Sequence, residues 1–163
     1  MKTLVAGFGN IFRSDDGLGP AVLRLLAGED LGPGVRARDF GTAGMHLALE
    51  MLDGYDRIVI VDAIARDDPP GTAFAIEITG EQPGAAAADP HDMHIGALFA
   101  LYQKLREQSG ITTAPQVFVV GCVPENVGDG MDLSEPVRAA LPSCVQLVRK
   151  LVTQTPIATG ASS

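Results

Sequence analysis

Tryptophan is absent from the 163 residues, and all aromatics together make up 5%. A core without large rings must be aliphatic, and 19 glycines with 11 prolines imply many tight turns between its elements. Cysteine is nearly as scarce. Cys122 and Cys144 are too few for a four-thiolate zinc site or a disulfide framework, and such sparing thiol use fits a cytosolic protein. No apolar run approaches the roughly 20 residues that span a bilayer. Leu4-Val5-Ala6, behind a single lysine, lacks both the length and the cleavage site of a secretory signal. Positive charge is in the minority, with 12 Lys and Arg against 20 Asp and Glu and a net charge of −8. Such a surface repels phosphate backbones and anionic lipids, so neither nucleic acid nor membrane is an expected partner. The expectation is a soluble cytoplasmic protein.

Apolar residues at 46% and charged residues at 20% describe a folded chain of one domain. That domain is expected over 1–153, with the small polar residues of 154–163 as a frayed tail. Short β-branched runs alternate with helical patterns. Strands are predicted at 3–6, 35–39, 57–62, 72–78 and 116–121. Helices are predicted at about 20–27, 43–52, 90–108 and 134–152, with Thr42 and Ser134 as caps and Pro142 as a kink or break. The run Arg57-Ile58-Val59-Ile60-Val61-Asp62 reads as a buried central strand. This alternation predicts a single three-layer α/β domain: a twisted, mostly parallel five-stranded sheet with helices on both faces. The link between Asp62 and Thr72 is too short for a helix, so the fourth strand is expected antiparallel at an edge. Gly84–Ala88 is a low-complexity patch and reads as a loop.

On that map, polar residues collect at the carboxyl ends of the strands, where open α/β sheets place their sites. Asp15 and Asp16 follow strand one, Asp39 ends strand two and Asp62 ends strand three. His91 follows strand four, and Glu125 follows strand five. Any one of these is explained by the polarity of a loop; five in succession are explained less well. Asp62 ends an apolar strand, where a metal ion, a lysine or a backbone cap would satisfy its charge. Asp89 and Pro90 can open a helix at His91, whose neutral imidazole suits a metal. His94 is the competing donor. Two carboxylates with one imidazole suit nickel, zinc or manganese more than calcium.

Other chemistries lack their signatures. The first loop, Gly7 to Gly19, spans about twelve residues against the usual two to six. It begins Gly7-x-Gly9, but Phe12 stands where a dinucleotide fingerprint needs glycine. Asp39 could still meet a ribose. H-E-x-x-H, G-x-x-x-x-G-K-[ST], G-x-S-x-G and Asp-Thr-Gly are all missing. Cys122 reads as a small buried residue, with a nucleophile paired to His91 as the alternative.

Gly7-Phe8-Gly9-Asn10 followed by Asp15-Asp16-Gly17-Leu18-Gly19 resembles the start of the nickel–iron hydrogenase maturation endopeptidases. Asp39-Phe40-Gly41-Thr42-Ala43-Gly44-Met45, Val61-Asp62-Ala63, Pro90-His91 and Val120-Gly121-Cys122-Val123-Pro124-Glu125 resemble further segments of that family in the same order. Leu133-Ser134, with Val137, matches the start of its last helix. The resemblance covers about residues 3–152. It implies an endopeptidase, of aspartic type, that removes the C-terminal extension of the hydrogenase large-subunit precursor after nickel insertion. By motif position it implies Asp16, Asp62 and His91 as the set that recognises nickel. That nickel would be held by the substrate rather than bound permanently. Asp39 matches a further acidic position and is implied in hydrolysis, so the implied catalytic carboxylates are Asp16, Asp39 and Asp62. The family often has glutamate where Asp16 stands, and glycine where Phe40 stands beside Asp39, which would narrow the groove there. The expected partner is the precursor, and the expected state is a monomer. The alternative is a non-catalytic metal- or nucleotide-binding module on the same fold.

Overall fold

The computed structural model describes residues 1–79 and 93–155, with the backbone alone at 93 and 94. The elements are β1 (Thr3–Gly7), a 3-10 turn (Ser14–Gly17), α1 (Leu18–Leu26), β2 (Val35–Asp39), α2 (Gly44–Glu50), β3 (Arg57–Ala63), β4 (Ala73–Ile78), α3 (Met93–Gln108), β5 (Gln116–Cys122) and α4 (Glu135–Thr153). The strands lie in the order β2-β1-β3-β5-β4. The first four run parallel, with Gly7 opposite Asp39 on one side and Val61 on the other. β4 runs antiparallel to β5, from Ala73↔Cys122 to Ile78↔Val117. The short link after β3 dictates this, because a parallel return needs a crossover of a dozen residues or more.

β3 is buried along its whole length, as its unbroken apolar run requires. The pleat sends alternate residues to two cores. Val59 and Val61 meet Leu18, Val22 and Leu26 of α1 and Val137, Val148 and Leu151 of α4. Ile58 and Ile60 belong with Leu47 of α2 and Leu98 and Tyr102 of α3. Asp62 continues the second series, so it leaves the sheet on the α2–α3 face.

Three local expectations are corrected. α4 is one helix from Glu135 to Thr153 with Pro142 inside it, so the expected break does not occur. Pro142 is exposed, so the carbonyl it strands faces water, while Val137, Ala140, Cys144 and Val145 hold the opposite face in the core. Thr42 makes no side-chain cap; Ala43 is the N-cap of α2, and the Thr42 carbonyl accepts the Gly44 N–H. Ser134 is the N-cap of α4, yet its hydroxyl is committed elsewhere, as described below. The expected helix start at Pro90, the Gly84–Ala88 patch, His91 and most of the expected tail lie outside the described residues. No helix among the described residues is long and apolar enough to cross a membrane.

The far end of the sheet is closed by a charge that the strand pattern does not announce. Arg57, only 1% exposed, opens β3. Its guanidinium donates to Gln116 Oε1 at 2.7 and 3.0 Å, and to the Leu151 and Gln154 carbonyls at the end of α4. It also lies over the Phe118 ring. The cation satisfies carbonyls that the last helical turn leaves without partners. We expect Arg57→Met to lower unfolding free energy by about 1–3 kcal/mol, since the Leu151 carbonyl stays buried and loses its donor. Activity per folded molecule should not change, because Arg57 lies at the opposite end from the carboxylates. Urea unfolding beside an activity assay measures both.

Candidate active site

The first loop is shaped by two close approaches that only glycine allows. A Cβ on Gly19 would lie 2.4 Å from the carbonyl oxygens of Phe8 and Val61, and one on Gly7 would lie 2.9 Å from the Gly19 carbonyl. The first turn of α1 therefore sits directly on the ends of β1 and β3. The dense strand–helix contact that a dinucleotide loop obtains from its third glycine comes here from Gly19, while Phe12 points to solvent.

Gly9 is the second case. Its φ is +137°, and a Cβ there would lie 2.0 Å from the Asp16 carbonyl and 3.3 Å from Asp62 Oδ1. One glycine thus stands between the backbone of residue 16 and the carboxylate of residue 62. The N–H of Asn10 donates to Asp16 Oδ2 at 2.9 Å, which fixes the Asp16 side chain beside the same turn. Asp62 is 3% exposed, and its Oδ1 accepts the Ala63 N–H at 2.8 Å. The structure brings the Asp16 backbone and the Asp62 carboxylate to the two sides of one glycine. We expect Gly9→Ala to displace the Asp16 turn and cut activity by about 100-fold or more, because a misplacement of ~1 Å costs that much. Parallel assays of cleavage and thermal unfolding would show the loss of activity exceeding the loss of folded protein.

Asp39 ends β2 and is exposed. Its Oδ1 accepts the Gly41 N–H at 2.8 Å, and that turn is pinned to β1 by Phe40 N–H to the Gly7 carbonyl and to the loop behind it by Gly9 N–H to the Gly41 carbonyl, both at 2.8 Å. Asp39 lies one strand to one side of Gly7, and Val61, just before Asp62, one strand to the other. The backbones of Asp39 and Asp62 thus stand about 10 Å apart, two strand spacings, at the same sheet edge. Phe40 does not narrow a groove beside Asp39. It is buried in the α2–α3 core, with Arg38 over its ring at 4.9 Å.

The acidic residue that sequence reasoning placed in the loop without a role is Asp15. It is fully buried. Its Oδ2 accepts the N–H groups of Glu125 and Asn126 at 2.9 and 3.0 Å and the Ser134 hydroxyl at 2.7 Å; its Oδ1 accepts the Ser134 N–H at 2.7 Å. Its own N–H donates to the Asn126 carbonyl. The first loop, the loop after β5 and the start of α4 are therefore clamped by one carboxylate. That carboxylate also faces the positive end of a 19-residue helix. This is where the Ser134 hydroxyl is spent. Ser14 begins the turn at φ +51°, unusual for a residue with a side chain. It is held there by its N–H to the Gly130 carbonyl and its hydroxyl to the Gly128 carbonyl.

Glu125 does not join the carboxylates; its backbone serves Asp15 and its side chain is exposed. Cys122 is fully buried, as expected of a small core residue, and the thiol of Cys144 contacts it. That contact, and then burial, push the Cys144 thiol up, so it stays protonated. Among the described residues no three His, Cys, Asp or Glu side chains group as a metal site. His91 lies outside them, and the side chain of His94 is not described.

A family model for hydrogenase maturation proteases, the HycI family, matches residues 21–151. The chain belongs to that family and is a peptidase. It is 28% identical to the hydrogenase 2 maturation protease of Escherichia coli over 150 residues, covering 91% of this chain and 88% of that protein. It is also 28% identical over 155 residues to the coenzyme F420 hydrogenase subunit delta of Methanothermobacter thermautotrophicus, covering 90% and 92%. The solved hydrogenase maturating endopeptidase HybD of E. coli superposes with a TM-score of 0.74 at 27% identity, covering 91% of this chain and 90% of the other. The single α/β domain with its mixed sheet is the fold of that endopeptidase.

Proposed function

We propose that the chain removes the C-terminal extension of a nickel–iron hydrogenase large-subunit precursor after nickel insertion. The observation that supports this reading is that the Asp16 turn and the Asp62 carboxylate flank Gly9 at the carboxyl edge of the parallel strands, in a chain of the maturation-protease family. Asp16, Asp62 and His91 form the recognition set. Two carboxylates and an imidazole match a divalent ion of nickel's type, and three protein ligands leave positions for the thiolates of the substrate that carries it. Nickel is thus cargo of the substrate, and it supplies a Lewis acid near the bond to be cut.

The carboxylates divide the work. Asp62 is buried and fixed by the Ala63 N–H, which suits an orienting or charge-bearing role. Asp39 is exposed and one strand beyond β1, where it takes a proton from water as general base. The two act as separate carboxylates of an aspartic-type peptidase, since their strands are not neighbours. The protein works in the cytoplasm as a monomer.

The test is cleavage of the nickel-loaded precursor, followed by intact-protein mass, with the wild type and with Asp16→Asn, Asp39→Asn and His91→Ala. Release of one defined C-terminal peptide by the wild type, and its loss in each variant, is the expected result. Full activity of His91→Ala would remove the imidazole from the set; no release by the wild type would overturn the reading.

A further inference from the structure

The loop that carries Asp15 and Asp16 also holds apolar side chains in water. Phe12 is 60% exposed, and Ile11 beside it is exposed as well. Met131, 70% exposed, belongs to the same ledge, because the N–H of Gly130 donates to the Phe12 carbonyl at 3.0 Å. A single exposed apolar residue needs no explanation. These stand on backbone that is tied down: the Ser14 N–H and hydroxyl bond Gly130 and Gly128, and Arg13 Nε donates to the Val127 carbonyl at 3.2 Å. Large apolar groups held rigidly in water form a preorganised docking anchor, with little ordering entropy left to lose.

The surroundings specify the partner's charge. Glu125, Asp129 and Asp132 lie in the same loop as Met131, all exposed, and among the described residues none of them forms an ion pair. The guanidiniums of Arg13 and Arg138 donate to carbonyls of that loop and offset part of this charge, but with Asp16 beside it the ledge stays net acidic, which complements a large apolar residue flanked by Lys or Arg. The ledge is continuous with the turn that presents Asp16, so what binds it lies next to the candidate cleavage edge.

We propose that the Phe12–Met131 ledge seats a basic segment of the protein substrate with an apolar tip, and so selects the precursor before its bond is cut. This rests on the reading of the chain as a precursor-processing peptidase. Phe12 and Met131 are mostly exposed and belong to neither core, so their replacement leaves the fold intact.

The experiment compares steady-state cleavage of nickel-loaded precursor by the wild type, Phe12→Ser/Met131→Ser, Glu125→Gln/Asp129→Asn/Asp132→Asn, and Leu25→Ser as an exposed control on α1. The double variant should raise KM about tenfold or more with kcat within about twofold, as loss of docking anchors does. The charge variant should raise KM at low salt and flatten the increase of KM with ionic strength shown by the wild type. Leu25→Ser should match the wild type. Unchanged KM in both ledge variants would overturn the proposal. So would a wild-type dimer in sedimentation that the double variant disperses without altering KM, which would assign the ledge to a second copy. A wild type that cleaves no precursor would sink the underlying reading instead.

Discussion

Asp15→Ala should lower the unfolding free energy by about 3–5 kcal/mol, one of the largest single-residue effects available in this fold. The carboxylate is fully buried and accepts three backbone N–H groups and one hydroxyl. Alanine would leave those donors facing a dry void, with the first turn of α4 stripped of the acceptor that caps it. Asp15→Asn should recover only part of the loss. Its carbonyl can accept, but its NH2 would point into a niche lined by donors. Denaturant unfolding of both variants measures the order wild type, Asn, Ala. An alanine variant as stable as the wild type would show that the clamp contributes nothing. Activity should fall with the clamp as well, because Asp16 is the next residue in the same turn.

Asp62→Asn should do the opposite: abolish processing and spare the fold. Asparagine matches aspartate in shape, and its carbonyl can still accept the Ala63 N–H. What disappears is the charge at the end of β3. Loss of an acid–base or charge-bearing carboxylate costs about 100- to 10,000-fold in rate. The variant should therefore unfold within a few degrees of the wild type while kcat/KM drops by that factor. Near wild-type cleavage would show that the residue is a strand-end cap and no part of the site. Equal losses of stability and activity would assign it to structure.

Much of this was legible in the residues. The β-branched run ending in Asp62 has the continuous apolar character of a strand buried on both faces, and it forms β3. The short link behind it could join only an antiparallel neighbour, and β4 is that neighbour. Asp62 could be placed at a strand exit because the β-branched run stops there.

The division of labour between Asp15 and Asp16 was not legible. Two adjacent acids in a 3-10 turn point about 120° apart, so one faces inward and the other outward. Which one does so is set by the loop after β5, more than 100 residues away along the chain. Arg57 was hidden for a similar reason. A cation at a strand start reads as exposed unless the acceptors at the end of α4 are known. The unbroken course of α4 through Pro142 depends on which face is buried, and composition does not carry that. The close packing by Gly19 was missed because glycine was sought at the fingerprint position occupied by Phe12.

The most direct test of the whole account is the mass of the large-subunit precursor before and after incubation with the protein, once loaded with nickel and once free of it. The account predicts loss of one defined C-terminal peptide from the nickel-loaded precursor and none from the nickel-free one. Equal cleavage of both would contradict the recognition of substrate-held nickel by Asp16, Asp62 and His91, and an intact nickel-loaded precursor would contradict the proposed processing reaction itself.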